Sequence, residues 1–305
     1  MKKKMAAFLA LFGMVWLAAC TGGGQADGTE RESEEKITLH VWHQWTNDTN
    51  ELKKLYDNAV ERYMSEHENL VIQTHTLDTE AYKTKISAEF AGAADGIDVF
   101  YYWGASTARK LVEADKLLPL DDYITEEVRE QILPESEAAF QYNGKTYSLP
   151  SFSWYLTLFC NRDIFEEAGA SIPSTYTELL DAVRQINDLG AVTPIAAGAK
   201  DGWNLALIYQ ALAMREVGAQ NVNRMLNGEI LFEDAGYREG AEKLVELYNQ
   251  NAFGKNPLDS GNDEANRMFV KGDAAMRIMG SWFANQIYTD EAASINPDHV
   301  VAVGI

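Results

Sequence analysis

The chain has 305 residues, with 26 Lys and Arg against 46 Asp and Glu and a formal charge of -20. Hydrophobic residues make up 46% and aromatics 11%, too apolar for a disordered chain and enough for one or two sizeable cores. The acidic balance disfavours binding to a nucleic-acid backbone or charge-driven docking on anionic lipid, and two cysteines exclude a disulfide scaffold.

Residues 1–20 read MKKKMAAFLALFGMVWLAAC. Lys2, Lys3 and Lys4 form a positive segment, and Ala6 to Trp16 an apolar run too short for a membrane span. Leu17-Ala18-Ala19-Cys20 looks like a bacterial lipobox, whose small residues suit a peptidase and whose thiol accepts a diacylglycerol group. The expectation is a signal peptide over 1–19, acylation of Cys20 and a Gly-rich, acidic tether to residue 36. Cys160 is then left without a partner and reads as a buried free thiol.

Ile37 to Trp42 alternates apolar and polar residues and predicts a strand. Asn50 or Thr49 caps a helix whose apolar positions are Leu52, Leu55, Tyr56, Ala59, Val60 and Tyr63. A second strand is expected over 69–76, a helix over 79–91, a third strand over 97–102 and a helix over 107–113. The run IDVFYY is almost continuously apolar, as a strand covered on both faces would be. This alternation predicts an α/β layer with a parallel core.

Beyond Pro119, residues 124–140 read as one surface helix, and Asn143-Gly144 as a hairpin turn. Pro150 to Ser153 marks a domain boundary. A strand is expected over 151–159, a helix from Asn161 closed by Gly169, and a helix over 176–189 capped by Thr175. Further strands are expected over 192–196 and 274–279, further helices over 204–217, 237–249 and 263–271, and a last strand from His299. Gly280-Ser281-Trp282 opens a helix.

These stretches in this order resemble the extracellular solute-binding lipoproteins of bacterial ABC importers, in the sugar and oligosaccharide group that includes maltodextrin-binding protein. The likeness is carried by the lipobox, ITLHVWHQW, IDVFYYWG, LVEADKLLPLDDYI, NGKTYSLP, LFCNRDIFEEAGASIPSTYTELL and MFVKGDAAMRIMGSW. It implies two α/β lobes with central sheets joined by a hinge, type II-like, with lobe one over 37–150 and lobe two over 151–305. It also implies a sugar caught between the lobes, delivery to permease subunits, and a monomer anchored by lipid outside the bacterial cytoplasm. Members of the family are usually longer, so the expectation is a chain missing its C-terminal part and binding sugar poorly.

Sugars present C–H faces that stack on aromatic rings and hydroxyls that bond carboxylates and amides. The candidates at expected strand ends and helix starts are Trp45, Asp78, Glu80, Trp103, Trp154, Tyr155, Trp203 and Trp282. Trp45 could instead pack under its loop, and Asp78 and Glu80 could serve only as helix cap and first-turn charge. Gly104 is read as allowing a ligand close to the backbone beside Trp103. By the resemblance, the late Gly-x-Trp aromatic, Trp282, stacks on sugar. Trp154 occupies a position where the maltodextrin member carries a carboxylate, so its hydrogen bonding must differ. Asp201 and Asn204 lie beside Trp203 as further polar candidates. No hydrolase, phosphate-loop or metal motif occurs, so no cofactor and no metal are expected. A glycoside-acting enzyme and a non-transport surface lipoprotein are the alternatives.

Overall fold

The computed structural model describes residues 36–226, 228–234 and 236–304. Cys20, the signal segment and the tether lie outside the described residues. Two α/β lobes follow one another along the chain.

The first lobe is built on β1 (Ile37–His43), β2 (Leu70–Thr76) and β3 (Val99–Phe100), all parallel in the order β2-β1-β3. Helices α1 (Glu51–Glu66), α2 (Thr79–Ala91) and α3 (Ser106–Glu113) follow their strands. Asn50 caps α1 by accepting from Leu52 N–H, and Asp78 caps α2 by accepting from Ala81 N–H. On α1, Leu52, Tyr56, Val60 and Met64 form one i,i+4 row turned toward the sheet. The expected positions Leu55, Ala59 and Tyr63 form the neighbouring row, which is exposed.

The third strand is shorter than expected. Val99 is exposed, so this strand is not covered on both faces, and among the described residues β3 pairs on one side only, with β1. After Tyr101 N–H bonds the Trp42 carbonyl, the chain leaves the sheet and carries 102–104 into a loop.

The expected helix over 124–140 is two short ones, α4 (Glu126–Glu130) and α5 (Pro134–Ala138). Pro134 has no N–H to continue a helix, and it fits the start of a new one. Asn143 and Gly144, with φ of 53° and 76°, make the tight turn between β4 (Gln141–Tyr142) and β5 (Lys145–Thr146).

The second lobe's strand β6 (Leu156–Asn161) begins five residues later than expected, since 151–155 lies in no strand. Helix α6 (Arg162–Ala168) ends at Gly169 in the left-handed conformation. Helix α7 (Tyr176–Asp188) starts on a capping box between Thr175 and Glu178. Strand β7 (Thr193–Ala196) leads to α8 (Gly202–Leu226), broken at Gly218, where φ is 72°, so that its first part ends at Val217 as expected. Then come α9 (Tyr237–Asn249), α10 (Asn262–Lys271), β8 (Ala274–Gly280), α11 (Phe283–Thr289) and β9 (Val300–Val303).

This sheet has the order β7-β8-β6-β9, with β7 parallel to β8 and both pairings of β6 antiparallel. Its main core packs Phe165, Val183, Ile186, Ile195, Ile208, Leu247, Met276 and Ile278. Cys160 is a buried free thiol within it, pushed up to about 12 by burial. Among the described residues no helix is long and apolar enough to cross a membrane.

Helices α8 and α9 approach closely at one glycine. A Cβ on Gly240 would lie 2.5 Å from the Ala213 Cα. Gly240→Ala is expected to force the helices apart and cost about 1–3 kcal/mol, readable as a lower urea midpoint with an unchanged slope.

Candidate functional site

Three loops and two helix starts meet where the lobes face each other. Trp45 follows β1, Trp103 follows β3, and Phe152 and Trp154 lie between β5 and β6. Trp203 opens α8 and Trp282 precedes α11.

The rings form a continuous wall. Trp282 meets Trp154 edge-on at 5.8 Å between centroids, and Trp154 stacks on Phe152 at 5.7 Å. Phe152 stands edge-on to Trp45 at 5.9 Å, and Trp45 tilts against Tyr101 at 5.1 Å. Tyr101 then meets Trp103 at 5.8 Å. Burial raises the Tyr101 phenol. Trp154 and Trp282 each keep 39% exposure, so their rings remain open to the cleft.

Local backbone chemistry sets these positions. The Trp282 ring folds back so closely that a Cβ on Gly280 would sit 1.9 Å from it, which explains glycine there. The Tyr82 hydroxyl, fully buried, lies 3.0 Å from the Trp42 carbonyl and 2.7 Å from that of Tyr101, tying α2 to both strand ends. Gly104 serves packing rather than ligand approach, a correction of the sequence reading. A Cβ there would meet the Ala139 carbonyl at 2.7 Å and the Phe140 ring at 2.9 Å. The next residue, Ala105, holds φ at 53°, a strained value for a side chain bearing Cβ. Its carbonyl accepts from the Tyr142 hydroxyl at 2.7 Å.

Opposite Trp103, the Trp203 indole donates to Glu80 Oε1 at 3.0 Å. Lys83 donates to the same oxygen at 2.8 Å, with its ammonium 5.4 Å from the Trp103 ring centre and 4.9 Å from that of Trp203. The two charges cancel locally. Between the lobes lies a polar cleft of about 480 Å³, lined by Asn47, Thr49 and Asn50 from the first lobe and by Asn285, Gln286, Thr289, Asp290 and Glu291 from the second.

Of the sequence candidates, Trp45, Trp103, Trp154 and Trp282 stand on one wall, with Glu80 and Trp203 facing Trp103. Asp78 caps α2, and the Tyr155 ring is 71% exposed while its carbonyl accepts Ser281 N–H at 2.9 Å. Asp201 accepts from Asn262 N–H at 2.6 Å. Asn204 is fully buried, so it is not the ligand-facing group its place beside Trp203 suggested. Its Oδ1 accepts from Gly198 N–H and from Arg277, each at 3.0 Å.

Arg277 itself was not singled out by the sequence reading. It lies fully buried in β8, and its guanidinium donates to Asn266, Asn204, Asn262 and the Ala196 carbonyl at 3.0–3.1 Å. Desolvation lowers it to about 9, which still leaves it protonated at neutral pH. The signal was present: one Arg in the otherwise apolar strand AAMRIMG. Phe152, Tyr101 and Lys83 were also missed. Among the described residues no group of three His, Cys, Asp or Glu is placed to hold a metal.

A family model described as bacterial extracellular solute-binding protein matches residues 46–304. The chain belongs to that family. The solute-binding protein is similar to a solved structure described in work on xylan utilization by the thermophilic bacterium Caldanaerobius polysaccharolyticus. The TM-score is 0.79 at 32% identity, covering 88% of this chain and 67% of that one. A chitin oligosaccharide binding protein gives a TM-score of 0.78 at 24% identity over 88% and 67% of the two chains, a likeness of fold. An uncharacterized ABC transporter extracellular-binding protein of Pyrococcus horikoshii is 24% identical over 297 residues, 92% of this chain and 64% of the relative. The solute-binding protein thus spans about two thirds of the length of these relatives.

Behind Trp45, His43 is buried against Tyr56 and accepts Trp45 N–H on Nδ1 at 3.1 Å. Burial, offset in part by Asp57, lowers its pKa from 6.5 to about 4. The folded protein therefore resists a proton that the unfolded chain takes up. Stability from this group is complete above pH 6.5 and is lost as pH falls toward 4. Urea unfolding at a series of pH values is expected to show that decline, with a shallower slope in His43→Phe.

Proposed function

We propose that this solute-binding protein captures a neutral sugar, mono- or oligosaccharide, between its lobes and delivers it to the permease subunits of an ABC importer. The observation that carries the reading is the aromatic wall from Trp282 to Trp103, contributed by both lobes and by the segment between them. Sugar C–H faces stack on such rings, while the amides, hydroxyls and carboxylates of the interlobe cleft suit sugar hydroxyls. Charge disfavours an anionic ligand, because Lys83, the cation at the wall, is matched by Glu80. The xylan and chitin oligosaccharide relatives support a carbohydrate as the ligand class. Binding without turnover follows from the family.

We place the hinge at Pro150 to Ser153, with the first lobe before it and the second after. Trp45, Trp103, Trp154 and Trp282 stack on or line the sugar. Glu80 offers its second carboxylate oxygen, and Asp78, Tyr155 and Trp203 complete the ligand set. The protein is a monomer, cleaved before Cys20 and held outside the cytoplasm by the lipid on that residue.

A thermal-shift screen of sugars, polyols, amino acids and peptides, run on the protein carried to the family's usual length, is expected to respond to sugars. Trp103→Ala and Trp282→Ala should then each cost about 2 kcal/mol of affinity, roughly 30-fold, by calorimetry. A response to amino acids or peptides alone overturns the reading. Cys20→Ser is expected to move the protein from the membrane to the soluble extracytoplasmic fraction, and an unchanged membrane share after fractionation refutes the anchor.

A further inference from the structure

The contact between Glu80, Lys83, Trp103 and Trp203 is built like a receptor for a cation. Two indole faces and one carboxylate converge on a single ammonium, the combination that recognises substituted ammonium ligands. Here the ammonium belongs to the protein. Lys83 lies one helical turn after Glu80 on α2, in the first lobe, and Trp203 opens α8 in the second. One carboxylate oxygen receives both the Lys83 ammonium and the Trp203 indole N–H, so the same four side chains also bridge the lobes.

We propose that Lys83 is a specificity-determining residue: a tethered cation that fills an aromatic–carboxylate cage across the lobes, latches them together and excludes cationic ligands from the cleft. The part that concerns sugars rests on the reading above; the cage does not. Lys83 occupies indole surface and the carboxylate that a protonated amino sugar would need, and it repels such a ligand on approach. A neutral sugar meets no such repulsion and needs only ring surface.

Removing the tethered cation should open the cage to an external one. Lys83 is a partly exposed helix residue whose side chain retains 33% accessibility, so Lys83→Ala is expected to fold, with Lys83→Met as a second variant that keeps the apolar stem. Tetramethylammonium titrated against Lys83→Ala, followed by tryptophan fluorescence, is expected to give saturable binding. Binding to the parent and to the Lys83→Ala, Glu80→Ala double variant should be at least about tenfold weaker. Small-angle scattering of the unliganded Lys83→Ala protein should show a larger radius of gyration than the parent. Equal tetramethylammonium responses in parent and variants, or identical scattering, overturn the proposal. Glucosamine and glucose extend the test: Lys83→Ala should gain affinity for protonated glucosamine relative to glucose, a ratio that a change in lobe closure alone leaves unaltered. If no sugar binds any variant, the proposed function fails, while the tetramethylammonium titration still decides the cage.

Discussion

A full positive charge buried among neutral oxygens organises the second lobe. Arg277 has no carboxylate among its four hydrogen-bond partners, only three asparagine side chains and one backbone carbonyl. A buried guanidinium is tolerable only if its fork is saturated, and saturation fixes where each partner stands. Those partners are the end of β7, the first turn of α8 and two turns of α10. The loop from Gly198 is drawn in as well, so close to Gly261 and Asn262 that a Cβ on Gly198 would lie 2.7 Å from the Gly261 carbonyl. Trp203 immediately precedes Asn204. The guanidinium therefore determines where this indole leaves the second lobe, and hence which atoms of the first lobe it can reach.

The aromatic wall has a different origin. On the first-lobe side its rings sit where parallel strands stop pairing, at the end of the sheet where the loops are free to vary. Tyr82 clamps two of those strand ends from beneath, and Ala105 stores strain just beyond Trp103. On the second-lobe side the ring is held by what is missing from its neighbour, since Gly280 leaves the volume that the Trp282 ring fills. Rigid placement of rings before a ligand arrives lowers the ordering cost of binding.

What could be read from the sequence follows the range of the interactions. Asn50, Asp78 and Thr175 as caps, Gly169 as a helix stop and Asn143-Gly144 as a hairpin turn are all decided within four residues of themselves, and each was legible. The third strand was misjudged because its apolar run says nothing of how many neighbours the strand has. The tryptophans were legible as candidates because an aromatic at a strand end is conspicuous. Tyr101 was not, since it reads as one more residue of an apolar strand. Arg277 and Lys83 escaped for the same reason in stronger form: the partners of Arg277 lie 11 to 81 residues away, and of the rings beside Lys83 one, Trp203, belongs to the other lobe. Gly104 was assigned to a ligand when its neighbours are Ala139 and Phe140, a contact no local pattern discloses.

The two sheets also differ in when they can be completed. The three described strands of the first are in hand once residue 100 has been made, and each joins a neighbour close in sequence. The second sheet cannot close early, because β6 at residues 156–161 waits for β8 at 274–280 and β9 at 300–303 to flank it. Until then a strand of almost wholly buried residues, LTLFCN, has both edges open. Long-range pairing of this kind is slow and exposes sticky edges. Synthesis from the N-terminus thus delivers the parallel strands of the first lobe together, while the central strand of the second waits for neighbours made much later, which makes that strand the stretch most in need of protection before the sheet closes.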